Sequence, residues 1–220
     1  MGFDYNAFAS NRREYGKQSL NKADTADSPL EQFEHWFADA LAEKIPDPTA
    51  MVLSTVDARG CPNSRVVLLK GLEDGAFVFY TNYESTKSIE LESVPYAALN
   101  FYWSSMARQV RIRGSVKRVS EAASAAYFES RSVMSQCSAV VSPQSREIAS
   151  RAELVEKASQ LKSIHQKNKN KNKITCPDYW GGFAVYPEEI EFWQGRDHRL
   201  HDRILYTQKK SKWIKSRLAS

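Results

Sequence analysis

The sequence predicts one α+β domain built on a barrel of mostly antiparallel strands. Short runs rich in β-branched and aromatic residues recur along the chain, and helical periodicity is confined to a few segments between them. Neither a G-x-G-x-x-G motif nor a P-loop is present, which argues against a doubly wound dinucleotide fold. With 220 residues, 42% of them hydrophobic, the chain is long enough to form one domain with a sizeable core.

Charge and cysteine content narrow the function class. The net charge of +5, from 31 basic and 26 acidic residues, suits phosphorylated small molecules and nucleic acid alike. Cys61, Cys137 and Cys176 are widely spaced and form no C-x-x-C pair, which indicates reduced thiols in a cytoplasmic protein. No apolar run has the length of a membrane span, and we expect neither a signal peptide nor an anchor.

Residues 1–28 are polar and are predicted to form a mobile N-terminal arm, which precedes a single domain over residues 29–220. One cluster is concentrated within the arm, and it consists of Arg12, Arg13, Glu14 and Tyr15. The cluster fits either a solvated charge patch or a lid that orders when a ligand binds.

The first helix is predicted to begin after Ser28, which can cap it, with Pro29 in its first turn. Apolar residues at helical spacing predict the side that faces the core, namely Leu30, Phe33, Phe37 and Leu41.

Strands follow, bounded by turn residues. The predicted strands are residues 50–57, 64–70, 76–81, 96–103, 108–119, 182–185, 189–193, 203–206 and 213–216. In the strand over residues 108–119, alternate residues predict one apolar and one polar face. The apolar face carries Val110, Ile112 and Val116, and the polar face carries Gln109, Arg111 and Arg113.

Three further helices are predicted, over residues 85–92, from Ser120 to at least Ser130, and over residues 145–165. The last of them leads into a flexible basic loop, residues 166–174, in which lysine and asparagine alternate. We interpret it as a solvated loop, and a nucleic-acid tether is the alternative.

A first candidate phosphate site combines Arg65 with Lys87. Arg65 opens an apolar run, and a charge in that setting needs a partner. Lys87 lies at a predicted helix start, where backbone N–H groups favour anions. Hydroxyl groups complete the set on Tyr80, Thr81, Ser85 and Thr86. Ordinary charge at a strand end is the alternative.

A second candidate phosphate site consists of Tyr127, Arg131 and Ser135. They share one stripe if the helix continues that far, although a plain surface stripe is the alternative. Lys70 could complete this site. Its parity is opposite to that of Arg65, so the two cations either serve different anions or a bulge re-aims one of them.

The densest functional group is the stretch from Trp193 to Arg203, with two carboxylates, two imidazoles and three guanidiniums. Burying so many charged groups costs free energy unless bound anions compensate the cations. The alternative interpretation is a solvated loop. A metal site at His198 and His201 is not expected, because no cysteine or third histidine lies nearby.

This stretch closely resembles the C-terminal signature of the pyridoxine/pyridoxamine 5′-phosphate oxidase family, and the resemblance extends from Arg12 to the C-terminus. It implies an antiparallel split β-barrel with inserted and flanking helices, in a homodimer that binds FMN at the subunit interface. The implied reaction converts both phosphorylated B6 vitamers to pyridoxal 5′-phosphate, with hydride transfer from the 4′-carbon to flavin N5 and reoxidation by O2 to H2O2. No nucleic acid, membrane or metal is expected as a partner.

The resemblance also implies roles for individual residues. The FMN contacts are Arg65, Val66, Val67, Leu68, Leu69, Lys70, Tyr80, Thr81, Thr86, Lys87, Gln109, Gln144, Ser145, Trp193 and Arg203. The substrate contacts are Arg12, Arg13, Glu14, Tyr15, Lys70, Tyr127, Arg131, Ser135, Arg199, Leu200 and His201. Arg199 and His201 are the implied catalytic residues: the first covers the substrate ring, and the second fixes the ring or relays a proton.

The chain departs from the family pattern at three places. Thr86 stands where the family usually has arginine, which removes a guanidinium near the flavin phosphate. Ser132 stands where a proline is usual, and residues 136–140 read Gln-Cys-Ser-Ala-Val in place of the usual Gln-Ile-Gly-Ala-Trp.

Two other functions stay open at this point. One is a split-barrel flavoprotein that has another substrate or no turnover, against which Arg199, Leu200 and His201 argue. The other is a nucleic-acid-binding module, which predicts a colourless protein with salt-dependent binding.

Overall fold

The computed structural model describes residues 14–16, 18–167 and 173–220, so Arg12, Arg13 and most of the predicted basic loop lie outside it. Its helices are α1 (Pro29–Ala42), α2 (Thr86–Ser93), α3 (Glu121–Ser130), α4 (Val133–Val141) and α5 (Arg151–Lys167). Its strands are β1 (Ala50–Val56), β2 (Pro62–Leu68), β3 (Gly71–Glu73), β4 (Ala76–Asn82), β5 (Tyr96–Trp103), β6 (Arg108–Arg118), β7 (Trp180–Gln194), β8 (Asp202–Lys209) and β9 (Lys212–Leu218).

Among the described residues the strands form one hydrogen-bonded sheet in the order β2-β1-β5-β6-β7-β4-β3, with β8 beside β7 and β9 beside β8. The pairs β1–β2, β3–β4, β4–β7, β7–β8 and β8–β9 are antiparallel. The predicted α+β class is therefore confirmed. No helix in the described part of the chain is long and apolar enough to cross a membrane.

The chain divides into two compact units. The central unit comprises Thr49–Leu99 and Arg113–Glu188, and the terminal unit comprises Met1–Pro48, Asn100–Ile112 and Glu189–Ser220.

The central unit is built on the β1–β2 hairpin and the β4–β7 pair. The hairpin turn is fixed by the Asp57 carboxylate, which accepts hydrogen bonds from the backbone N–H groups of Arg59 and Cys61 at 2.9 Å. Between β4 and β7 the register places Phe79 opposite Phe183, and both rings are buried. Burial of these apolar side chains from both strands is the main stabilising contribution here.

In the terminal unit, α1 packs through Phe33 and Trp36. The Phe33 ring lies 5.1 Å from that of Phe101, and Trp36 meets Phe192 edge-on at 5.2 Å. The predicted core face of this helix is partly wrong, because Leu41 is 54% exposed. Leu41 is the penultimate residue of α1, and the buried face of the helix runs through Phe33, Trp36 and Ala40 instead.

The segment before α1 is attached to β8 and β9. The Leu20 N–H donates to Asp202, the Tyr206 hydroxyl donates to the Ala26 carbonyl at 2.6 Å, and Lys215 pairs with Asp27. The predicted arm over residues 1–28 stays a prediction, since residues 1–13 and 17 are not described.

The region after α3 differs from the predicted helices. Ser120 caps α3, which ends at Ser130 because Arg131 is extended (φ −75°, ψ 154°). The Ser132 hydroxyl then caps α4, a helix that was not predicted. The helix predicted over residues 145–165 begins only at Arg151, because Ser145 has φ +68°.

Strand β7 is continuous over Trp180–Gln194, where two strands were predicted. It pairs with β4 as far as Val185 and with β8 from Glu189. Pro187, which has no N–H to donate, lies where β7 changes its partner from β4 to β8. The proline therefore interrupts the pairing between strands but does not end β7.

Gly114 of β6 gives a stability prediction, because a Cβ at this position would lie 1.9 Å from the Tyr186 carbonyl oxygen. We expect Gly114→Ala to lower the free energy of unfolding by roughly 3 kcal/mol, since backbone must move to relieve the overlap. Gly60→Ala is the control: its site is open but has φ +85°, so we expect about 1 kcal/mol. Urea denaturation measures both, and equal losses would contradict the steric explanation.

Candidate functional site

Lys87 is the centre of the first cation cluster in the central unit. Its Nζ donates to Thr81 Oγ1 at 3.2 Å, to Ser85 Oγ at 3.0 Å and to Gln144 Oε1 at 2.8 Å. Ser85 is the N-cap of α2, so the ammonium lies beside the positive end of that helix. Burial lowers the pKa of Lys87 to about 8, and the charge of Arg65 contributes further. A cation destabilised in this way gains from an incoming anion.

Arg65 belongs to the same cluster. The apolar residues that follow this arginine predict a charged partner for it, and the structure provides Glu90. Its Nη2 lies 3.0 Å from Glu90 Oε2, and its Nη1 donates to Thr55 Oγ1. Glu90 also accepts from Thr55 and Asn63, and it is buried. Burial raises the pKa of Glu90, but these hydrogen bonds and the charge of Arg65 outweigh it, so its pKa is lowered overall. Sequence reasoning missed Glu90, which lies on α2 far from Arg65 in the chain.

The strand after Arg65 exposes apolar side chains. Val66 is 65% exposed and Leu68 is 41% exposed, whereas Leu69 is buried. Lys70 lies beyond the end of β2, where its N–H donates to the Val78 carbonyl, so the strand-parity argument does not apply to it. Exposed aliphatic groups beside a cation cluster suit a ligand with a flat ring and an anionic tail.

The second cluster lies on a stack of aromatic rings in the same unit. The Tyr80 and Tyr127 rings are 3.9 Å apart at 15°, and the Trp180 ring is nearly parallel to both. Arg131 lies over Trp180, with its guanidinium carbon 4.7 Å from the ring centroid. Tyr80 belongs to the first set and Tyr127 to the second, so the two sets are in direct contact.

Arg131 carries the most informative unsatisfied atom of the site. Its Nη1 is buried and has no hydrogen-bond partner, and within residues 14–16, 18–167 and 173–220 its guanidinium forms no ion pair. Burial lowers its pKa. A buried donor in this state costs free energy until an acceptor reaches it, and an anion supplies one.

Arg131 and Trp180 line a cavity of about 440 Å³ together with Gln144, whose Oε1 accepts the hydrogen bond from Lys87. The prediction that Tyr127, Arg131 and Ser135 form one helical stripe is wrong, because Arg131 lies between two helices. Ser135 instead sits in the first turn of α4, where its hydroxyl is 2.8 Å from that of Ser132.

The C-terminal stretch forms a compact group in the terminal unit. The Tyr15 ring meets Trp193 and His201 edge-on, with centroid distances of 5.6 and 5.5 Å. The Arg196 N–H donates to His201 Nδ1 at 3.1 Å, so the proton of the neutral ring resides on Nε2. Burial, followed by the charge of Arg199, lowers the pKa of His201.

Backbone strain marks the same loop. His198 and Arg199 have φ +58° and +60°, which are sparsely populated for residues other than glycine. The Glu14 carboxylate accepts from the His198 N–H at 3.2 Å, so the described part of the predicted lid contacts the loop. Arg199 and Leu200 are exposed. The loop therefore presents these two side chains outward while Tyr15 and Glu14 contact it.

The remaining candidate residues are placed as follows. Arg203 pairs with the buried Glu191 at 2.7 Å, and Arg111 pairs with the other oxygen of that carboxylate, so Glu191 is a positioning group that sequence reasoning missed. Gln109 is half-buried on β6, and Ser145 is exposed. Groups of three or more His, Cys, Asp or Glu residues that could hold a metal are absent from the described residues.

Comparison with solved structures shows which fold class the chain has. PhzG from Burkholderia lata 383, solved with tetrahydrophenazine-1-carboxylic acid, superposes with a TM-score of 0.85 at 26% identity, covering 91% of this chain and 98% of that one. A pyridoxamine 5′-phosphate oxidase-related, FMN-binding protein from Nostoc punctiforme superposes with a TM-score of 0.68 at 16% identity, covering 88% and 98%. The fold is the antiparallel split β-barrel.

Sequence comparison gives the family. Residues 37–165 match the family model described as pyridoxamine 5′-phosphate oxidase, and residues 180–220 match the pyridoxine 5′-phosphate oxidase C-terminal dimerisation region. Pyridoxine/pyridoxamine 5′-phosphate oxidases from Legionella pneumophila and Chromobacterium violaceum are 52% and 50% identical, over 98% and 94% of this chain and 98% and 96% of theirs. The chain belongs to the pyridoxine/pyridoxamine 5′-phosphate oxidase family.

The buried Glu90–Arg65 pair gives a prediction about pH. Glu90→Gln removes the charge but keeps the shape, and we expect a loss of roughly 1.5–3 kcal/mol of unfolding free energy at pH 7. Because the pKa of Glu90 in the folded protein lies below the usual value for a glutamate, its contribution is present above that usual value and is lost as pH falls through the folded pKa. Thermal unfolding from pH 3 to 8 measures this, and a difference that persists undiminished at low pH would contradict it.

Proposed function

We propose that this chain binds FMN through the Lys87 and Arg65 cluster and binds the phosphate of pyridoxine 5′-phosphate or pyridoxamine 5′-phosphate at Arg131, producing pyridoxal 5′-phosphate. The observation that carries the proposal is the buried Arg131 Nη1, which has no partner among the described residues. A phosphate oxygen supplies the acceptor that this atom lacks. The activity agrees with the names of the relatives at 50–52% identity.

The residues present fit FMN. The Lys87 ammonium, already surrounded by three oxygen acceptors at the start of α2, is suited to the phosphate. The exposed Val66 and Leu68 side chains offer an apolar surface to a flat ring. Bound FMN would supply the redox chemistry, as acceptor of the hydride lost by the substrate 4′-carbon and as donor of two electrons to O2, which would leave as H2O2.

The protein positions the substrate by its phosphate. Arg131 donates two parallel hydrogen bonds, Tyr127 and Ser135 add hydroxyl donors, and Lys70 adds a cation. Binding energy at the phosphate is remote from the reacting carbon, so it serves orientation. The contact between the Tyr80 and Tyr127 rings at 3.9 Å supports a phosphate site beside the proposed cofactor site.

The ring of the substrate is covered by the C-terminal loop. Arg199 is exposed on a strained turn and can lie flat on a pyridine ring. His201, with its lowered pKa and its Nδ1 occupied by the Arg196 N–H, is neutral near pH 7 and offers its Nε2 proton to the ring. Glu14 and Tyr15 contact the loop and act as part of a lid, with Arg12 and Arg13 as its proposed continuation.

The second subunit completes the site in this proposal. Residues 180–220 match a dimerisation region, which supports a homodimer. We place FMN at this interface, with Trp193, Gln109 and Arg203 contributed toward it. The three free cysteines support a cytoplasmic location.

A peroxide assay tests the proposed function directly. Purified protein loaded with FMN is mixed with pyridoxine 5′-phosphate, and H2O2 and pyridoxal 5′-phosphate are measured together. We expect equal amounts of both products, with far slower turnover of unphosphorylated pyridoxine. A yellow protein that forms neither product would show that the chain has another substrate or no turnover.

Arg199→Ala is expected to reduce kcat/KM for pyridoxine 5′-phosphate by roughly 100-fold, because loss of orientation can cost that much. FMN affinity should change little, since Arg199 faces the substrate. Arg59→Ala, which removes an exposed arginine of the β1–β2 turn, is the control. Loss of flavin with unchanged turnover per bound flavin would contradict the role of Arg199.

Thr86→Arg is expected to tighten FMN binding roughly tenfold, since it restores a charged donor near the phosphate. Thr86 is exposed at the first position of α2, so the longer side chain has room. Thr86→Gln is similar in length without the charge and should leave the Kd almost unchanged. Fluorescence titration of apoprotein with FMN measures all three proteins, and a weaker or equal Kd in Thr86→Arg argues against the assignment.

A further inference from the structure

The indole of Trp180, at the start of β7, is held in one orientation. Trp180 is 7% exposed, its backbone N–H donates to the Pro177 carbonyl at 2.9 Å, and it is paired with Asn82 across the sheet. The Phe128 ring meets it edge-on at 5.1 Å. A bulky ring fixed by backbone pairing and by a second ring has little rotational freedom.

This indole is one member of the aromatic stack. Its plane is 5° from that of Tyr127 and 10° from that of Tyr80, with centroids 6.2 and 5.6 Å away. Gly182 permits the arrangement, because a Cβ at that position would come within 2.8 Å of Tyr80 Cε1. The orientation of the Tyr127 phenol is therefore tied to that of the indole.

The same indole holds the Arg131 guanidinium, at 4.7 Å from its centroid, while the Phe128 ring is 5.7 Å away. In the described part of the chain no carboxylate pairs with Arg131. A carboxylate would fix the guanidinium but would also cancel its charge. An aromatic face fixes it by a cation–π interaction and leaves the full charge for an anion.

We propose that Trp180 is a positioning residue for the substrate phosphate, which aims Arg131 directly and Tyr127 through the ring stack. The proposal rests on the proposed function, since it assigns Trp180 to the same phosphate site. Trp180 does not touch the reacting carbon, so its removal acts on binding of the phosphorylated substrate.

The test compares Trp180→Leu with Trp180→Phe in the FMN-loaded protein. Leucine removes the aromatic face, and we expect the KM for pyridoxine 5′-phosphate to rise about tenfold while kcat falls less than twofold. Phenylalanine keeps a face, and we expect a rise of about threefold or less. The Kd for pyridoxal 5′-phosphate should follow the KM, whereas the Kd for unphosphorylated pyridoxal and the FMN Kd should not change.

A matched control separates positioning from general destabilisation. Trp103 is as deeply buried but packs against Phe33 in the terminal unit, so Trp103→Leu should lower the Tm without the selective rise in KM. Equal effects of Trp180→Leu and Trp180→Phe, or equal weakening of pyridoxal and pyridoxal 5′-phosphate, would overturn the proposal.

If Trp180→Leu yields no folded holoenzyme, a double-mutant cycle of Trp180→Phe with Arg131→Lys decides the question. Non-additive effects on KM support the coupling, and additive effects refute it. If the unsubstituted protein has no oxidase activity, the proposed function fails. The role of Trp180 in phosphate binding is still tested in that case by the Kd values for pyridoxal 5′-phosphate.

Discussion

The partly buried guanidinium of Arg131, with its buried and unpaired Nη1, is the constraint on which the site depends. One of its nitrogens has no acceptor, and the residues that surround it supply rings in place of a counter-charge. Such an arrangement is costly in the free protein, and the cost is offset when an anion binds. The stack of Tyr80, Tyr127 and Trp180 keeps the charge in place and connects it to Tyr80, a residue of the proposed cofactor site.

The two cation clusters solve the same problem in different ways. Arg65 is paired with Glu90, and Lys87 donates to hydroxyl and amide oxygens, so the donors of the proposed cofactor cluster already have acceptors before a ligand arrives. Arg131 is not satisfied in this manner within the described residues. A prosthetic group that remains bound suits the first arrangement. A substrate that must leave suits the second, because its site is specified chiefly by an unpaired hydrogen-bond donor.

The sequence predicted most of the elements and the two sets of cationic residues, because alternation, caps and charge are local signals. It missed α4, which begins directly after the extended Arg131 with Ser132 as its N-cap. It missed Glu90, Glu191 and Trp180 as well. Each of these acts through a partner distant in sequence, and spacing along one chain carries no record of such contacts.

The two proposed anion sites are adjacent but separable, and two variants test this together. In Lys87→Met we expect FMN binding to weaken roughly tenfold or more, while flavin-loaded protein keeps its Kd for pyridoxal 5′-phosphate. In Arg131→Met we expect the reverse. If each variant weakens the binding of only one ligand in this way, the two anion sites are adjacent but separate. A similar loss of affinity for both ligands in both variants would show that they are not separate sites.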